Sequence, residues 1–191
     1  NRIFLLLVIP FIFVCMYSTP PNNDIWFLLS LGKYVFANGV PNIEPFTIHV
    51  GLDYMMQQWL SASIFWGSFS LFGKFAVVGI VVIMLFLLMF LFYKLCINFT
   101  TKNISVIITA ITFFLTSTFI INRPQIFTYF ILLLEVFLLE KFISTKSSRW
   151  LYVMPFLSIL LINLHMSMWY FQFVFMLPFI VNSFKIKNVS L

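Results

Sequence analysis

Phe75-Ala-Val-Val-Gly-Ile-Val-Val-Ile-Met-Leu-Phe-Leu-Leu-Met-Phe-Leu-Phe-Tyr93 decides the fold class. The stretch holds no charged residue and no strand-like alternation. As a helix rising about 1.5 Å per residue it is about 28 Å long, close to the roughly 30 Å hydrocarbon thickness of a bilayer. It reads as a membrane span. The rest of the sequence agrees. Of 191 residues, 62% are apolar and 8% are charged, against roughly 25% charged in an ordinary soluble domain. Mean hydropathy is +1.07. A soluble fold of this size has too much surface to hide that apolar content. The composition excludes a soluble enzyme, a nucleic-acid module and a disordered tail. It predicts an all-α, polytopic transmembrane helical bundle. The 27 Phe residues read as lipid-facing bulk.

Working outward from Phe75–Tyr93, apolar stretches divide the chain. Residues 3–18, 104–121, 125–142, 150–164 and 168–184 are further expected spans, making about six, all in one membrane domain over 1–191. The first is short and is followed by Pro20-Pro21 without a small-residue cleavage pattern, so it reads as a retained span. The chain starts on Asn1 and stops just after an apolar stretch, and it is expected to be a fragment of a longer protein. Cys15 and Cys96 have no metal-ligand spacing, and no disulfide is expected between them.

Residues 19–73 form the one long polar connection. The part from Thr19 to Gln58 carries Asp24, Glu44 and Asp53, three of the five acidic residues in the chain. Long connections in compact proteins are usually functional. Within it, Asn23-Asp24 reads as a helix start and Asn38-Gly39 as its end. Ile25, Leu28, Leu29, Gly32 and Phe36 share one helical face, giving an amphipathic helix at the membrane surface. Gln58–Gly73 is apolar but short and carries four serines.

The net charge of +6 is read as an orientation signal, with no nucleic-acid partner. With the start of the chain cytoplasmic and Gln58–Gly73 re-entrant, eight of the eleven basic residues fall on the cytoplasmic side: Arg2, Lys94, Lys102, Lys141, Lys146, Arg149, Lys185 and Lys187. If Gln58–Gly73 spans, the majority moves outside. The positive-inside rule favours the first arrangement. The expectation is a multi-pass protein of the cytoplasmic membrane with the 19–73 loop outside. Asn122-Arg123-Pro124-Gln125 and Asn163-Leu164-His165 then lie on the same outer side as the acidic loop.

The loop motifs carry a resemblance. Asp24-Ile25-Trp26-Phe27, Gly32, Asn38-Gly39-Val40-Pro41, Glu44-Pro45-Phe46-Thr47, Gly51, Gln57-Gln58-Trp59-Leu60-Ser61 and Phe72-Gly73, followed by Arg123-Pro124-Gln125 and Asn163-Leu164-His165, resemble bacterial GT-C-type polytopic glycosyltransferases in order and spacing. Phe27, Leu28, Glu44, Gln58 and Met166 depart from the pattern, and position 58 loses an acid. The resemblance covers 24–167 and implies the N-terminal membrane half of a longer enzyme.

What the resemblance implies is inverting transfer of a sugar from a polyprenyl-phosphate donor to a lipid, glycan or protein acceptor, outside the cytoplasmic membrane. Asp24 is then the candidate catalytic base for the acceptor hydroxyl. Arg123 is the candidate phosphate ligand, since a guanidinium offers bidentate contacts. His165, Glu44, Asn163 and Trp26 are candidate substrate-binding residues, with Asn163 as the hydrogen-bond support of His165. The sequence requires no cofactor. Asp24, Glu44 and Asp53 are the candidate oxygen ligands should a divalent metal bind, although solvated loop carboxylates explain them as well. Membrane lipid is a further expected partner, and the sequence leaves the oligomeric state open.

Glu135 stands mid-span. A charge there is costly, so it faces the bundle interior or is protonated. Gln125, Thr128 and Glu135 share a face and predict a polar seam. Such a seam suits a structural hydrogen bond between spans, or a transporter, flippase or assembly subunit, the non-enzymatic alternative. A catalytically dead homologue is the third. Trp26, Trp59, Trp66, Trp150 and Trp169 fall near expected interfaces. Walker, Rossmann, CxxC and HExxH motifs are absent from the sequence.

Overall fold

The structure is a computed structural model that describes residues 8–9, 23–119 and 123–189. The described residues are all-helical. Seven α-helices follow in order: α1 Asp24–Asn38, α2 Trp59–Phe72, α3 Lys74–Cys96, α4 Lys102–Leu115, α5 Gln125–Thr145, α6 Met154–His165 and α7 Phe171–Val189. Short 3-10 turns cover Ser117–Phe119, Ser148–Val153 and Met166–Met168. The expected span over 3–18 lies outside the described residues apart from positions 8 and 9.

Among the described residues two stretches are long and apolar enough to cross a membrane. One is α3, with 23 residues; the other is the continuous Ser148–Met168 helical run, with 21 residues. Six spans are not supported, and the reasons are local. α4 ends at Leu115 after 14 residues and gives way to a 3-10 turn, so the stretch expected over 104–121 is not one helix. α5 has 21 residues, but Glu135, Glu140 and Lys141 interrupt its apolar character. The 150–164 stretch is longer than expected because 3-10 turns extend α6 at both ends. In α7 the apolar part, Phe171–Asn182, is short, and Pro178 removes a backbone donor from its interior.

α1 begins and ends where the sequence places it, with Gly39 closing it at φ 80°. Its buried face gains Leu31 and loses Phe36. Ile25, Leu28, Leu29, Leu31 and Gly32 are buried, while Phe36 is 64% exposed. α1 packs most extensively on α2. Gly32 permits this: a Cβ there would strike the Ala62 carbonyl oxygen and come within 2.5 Å of the Trp66 Cβ. The two backbones therefore cross at a distance only glycine allows.

Between α1 and α2 the chain forms a hairpin-like loop. Ile43 and Asp53 make an antiparallel bridge, and Glu44 and Tyr54 donate backbone N–H bonds to Leu52 and Asn42 at 2.9 Å. Phe46 folds back edge-on to Phe27 and Tyr34 and ties the loop to α1. α2 then packs on α3 and α6, and α5 packs on α3, α6 and α7. The shared core is built from Phe65 of α2, Leu85 and Met89 of α3, Ile126 and Ile131 of α5, and Leu161 of α6.

Candidate functional site

Two chain segments about a hundred residues apart set the site. α1 opens with Asp24 in its first turn. α5 opens immediately after Arg123-Pro124, with the proline fixing the approach. The packing of α1 on α2, and of α2 and α5 on the same core, brings these two helix starts to one end of the bundle. There the Arg123 guanidinium and the Asp24 carboxylate form an ion pair, with the side chains 36% and 60% exposed. The pair borders a cleft of about 230 Å³ lined by Asp24, Phe27, Leu28, Gln58, Arg123, Pro124 and Gln125.

Two residues of the cleft lining keep an unpaired buried polar atom. Arg123 Nε and Gln125 Oε1 are buried and lack a hydrogen-bond partner among the described residues. Buried groups of this kind are normally paired, and each one left over calls for an explanation. One donor and one acceptor near the ion pair are thus unpaired, and neither presents accessible surface. Gln58 lines the same cleft.

Behind the cleft a second set of polar contacts fastens α2 to the end of α6. Trp59 Nε1 donates to Asn163 Oδ1 at 2.7 Å. Ser61 Oγ donates to the Leu164 carbonyl at 2.6 Å, and the Met166 N–H donates to the Gln57 carbonyl at 2.9 Å. His165 is buried. Its Nδ1 lies 3.0 Å from Thr128 Oγ1 in the first turn of α5, and its Nε2 lies 3.2 Å from Ser167 Oγ. His165 therefore locks α6 to α5, and both ring nitrogens are engaged.

The structure brings Asp24 and Arg123 together and gathers Asn163 and His165 at the same end. It corrects one expectation, the pairing of Asn163 with His165, and places His165, Trp26, Glu44 and Asp53 outside the cleft lining. Asn163 does not support His165; its side chain holds Trp59 and donates to the Ile159 carbonyl at 2.7 Å. His165 does not line the cleft, because it is turned into the helix interface. Trp26 is exposed and packs edge-on to Phe69 of α2, away from the cleft lining. Glu44 caps its own turn by accepting the Phe46 N–H at 2.9 Å, and Asp53 sits in the hairpin bridge. Among the described residues no group of three or more His, Cys, Asp or Glu side chains could hold a metal ion, so Asp24, Glu44 and Asp53 do not converge. Glu44 acts instead on Tyr54. Partial burial first, and the Glu44 charge second, push that phenol above its usual range.

The contacts of Ser61 and Ser167 have no signal in the sequence, and Gln58 stands out there only as a lost acid. Gln125 and Thr128 were legible as a polar face, but their division between the cleft and His165 depends on tertiary packing.

A scan against protein-family models, a search of curated proteins and a search of solved structures found no match to this chain.

Proposed function

We propose that the chain is the membrane half of a GT-C-type glycosyltransferase, which moves a sugar from a polyprenyl-phosphate donor to a lipid, glycan or protein acceptor outside the cytoplasmic membrane. The observation that carries this reading is the meeting of Asp24 and Arg123 at one cleft. The loop motifs supply the rest of its support. In this reading the acceptor oxygen attacks the anomeric carbon from the face opposite the phosphate. Its proton passes to the Asp24 carboxylate. The bond from the anomeric carbon to the phosphate oxygen breaks, and the electron pair leaves with the polyprenyl phosphate, whose charge Arg123 meets.

The resting ion pair fits this scheme. An exposed pair is worth at most about 1 kcal/mol, so a phosphate offering bidentate contacts can displace the carboxylate from the guanidinium. The same exchange frees Asp24 to accept the proton. The donor thereby arms the base.

The test is transfer by the full chain reconstituted in lipid vesicles. Asp24→Asn is expected to abolish transfer and leave donor binding in place. Arg123→Ala is expected to weaken donor binding. Full turnover in Asp24→Asn removes the assignment.

One observation favours a second, non-enzymatic reading as a transporter, flippase or assembly subunit. Glu135 is wholly buried within the helix bundle. Solute uptake by vesicles that requires Glu135, without any sugar transfer, distinguishes that reading from the first.

A further inference from the structure

Glu135 of α5 and Gln172 of α7 are a polar pair inside an otherwise apolar interior. Their exposures are 0% and 1%. The two side chains face one another across packed helices. Both carboxyl oxygens, the amide nitrogen and the amide oxygen lack a hydrogen-bond partner of ordinary geometry. Four orphaned polar atoms at one point in a core are rare, since buried polar groups are nearly always satisfied.

The surrounding charges do not account for them. On α3, Lys74 lies over the Phe75 ring and Lys94 over the Phe90 ring, and Tyr93 is buried near the far end of the same helix. On α6, His165 is taken by Thr128 and Ser167. In the Ser148–Val153 turn, Arg149 stacks on Trp150. On α5 itself, Lys141 lies over Phe137, while Tyr129 and Glu140 are not buried. Among the described residues no cation pairs with Glu135.

Donor and acceptor counts then single out one species. A carboxylate has only acceptors, so it can take one bond from the amide nitrogen while facing the amide oxygen with its own lone pairs. A neutral carboxylic acid has one donor and one free acceptor, as does the matching edge of a primary amide. Acid and amide therefore close a ring of two hydrogen bonds: the Glu135 O–H donates to Gln172 Oε1, and Gln172 Nε2 donates to the Glu135 carbonyl oxygen. All four atoms are satisfied at once. An unpaired charge in this setting is the costly alternative.

We propose that Glu135 and Gln172 form a proton-binding site within the bundle, in which Glu135 is held as the neutral acid and Gln172 closes the ring. The site's ligand is a proton, and the proposal stands whether the chain transfers a sugar or transports a solute.

Infrared spectroscopy of the full chain in lipid vesicles at neutral pH tests it. The difference between the wild-type protein and Glu135→Gln is expected to contain the carbonyl stretch of one hydrogen-bonded carboxylic acid. In Gln172→Leu that stretch is expected to move to higher frequency as the ring is lost. Carboxylate bands in place of the acid stretch overturn the protonation. An unmoved stretch in Gln172→Leu overturns the pairing. Should Glu135→Gln fail to fold, a hydrophobic carbodiimide applied to wild-type membranes carries the test, because it needs a protonated acid. The adduct is expected on Glu135, roughly tenfold above Glu140 at the helix end. Equal or weaker labelling of Glu135 refutes the proposal.

Discussion

The Asp24–Arg123 pair allows scaffolding and chemistry to be separated by magnitude. Both side chains are substantially exposed, at 60% and 36%. Exposed pairs measured by double-mutant cycles contribute about 0.2–1 kcal/mol. The stability coupling between Asp24→Asn and Arg123→Gln should therefore stay below about 1 kcal/mol, and each single variant should unfold within a few degrees of the wild-type protein. A positioned base acts on another scale. Its removal costs a factor of roughly 10²–10⁴ in rate, which is about 3–5 kcal/mol of transition-state stabilisation. The assay is transfer in reconstituted vesicles, run beside thermal unfolding of the same preparations. The exchanged pair, Asp24→Arg with Arg123→Asp, sharpens the comparison. It restores the attraction and the stability but places the acid where the phosphate should sit, so turnover should stay lost. Recovery of turnover in the exchanged pair refutes the reasoning, because it shows that only the attraction matters.

Other substitutions test the frame around the cleft. Gly32→Ala drives a methyl group into the Ala62 carbonyl and should destabilise by about 1–3 kcal/mol, read as a lowered unfolding temperature; an unchanged value refutes the close crossing of α1 and α2. Asn163→Leu leaves the Trp59 indole N–H unpaired and should cost about 1–3 kcal/mol, whereas the double variant with Trp59→Phe should recover part of it; additive losses disprove the contact. His165→Ala should lower stability through loss of its Thr128 and Ser167 contacts, by about 1–3 kcal/mol, without changing donor affinity; a selective loss of donor binding returns His165 to the cleft. A cysteine introduced at Ser147 should resist labelling from outside intact cells, and efficient labelling there reverses the proposed orientation.

The parts of the fold visible in the sequence were those with a local cause. The apolar content of Phe75–Tyr93 and the Asn-Gly after α1 act over a few residues, and α3 and α1 formed where these signals placed them. The polar face of Gln125, Thr128 and Glu135 was likewise a matter of period. The end of α4 at Leu115 coincides with Thr116-Ser117-Thr118, an interruption too short to read as a helix end beside the Phe119-Ile120-Ile121 that follows it. The site was legible as residue types gathered by charge scarcity, with Asp24 and Arg123 foremost. Its wiring was not. That Asn163 serves Trp59, and that His165 serves Thr128, depends on which side of α6 meets α2 and which meets α5. No spacing within one segment encodes that choice. Phe36 shows the same limit: it lies on the expected stripe of α1, but only the tip of its ring reaches α2, at Gly67, and the rest stays exposed.

The fastening of α2 to α6 also orders the assembly of the molecule in time. Trp59 and Ser61 find their partners 104 and 103 residues further along the chain. Closing loops of that length is slow, because the entropy of the intervening chain must be lost before any contact forms. During synthesis α1 and α2 emerge first, and the indole N–H, the serine hydroxyl and the Gln57 carbonyl then have no partner. Such groups are expensive to leave unpaired away from water, so their burial waits until Asn163–Met166 has been made. The rim of the cleft is thus among the last features to set. A chain interrupted before residue 163 would retain the acid and the guanidinium but lack the clasp that fixes the wall beside them.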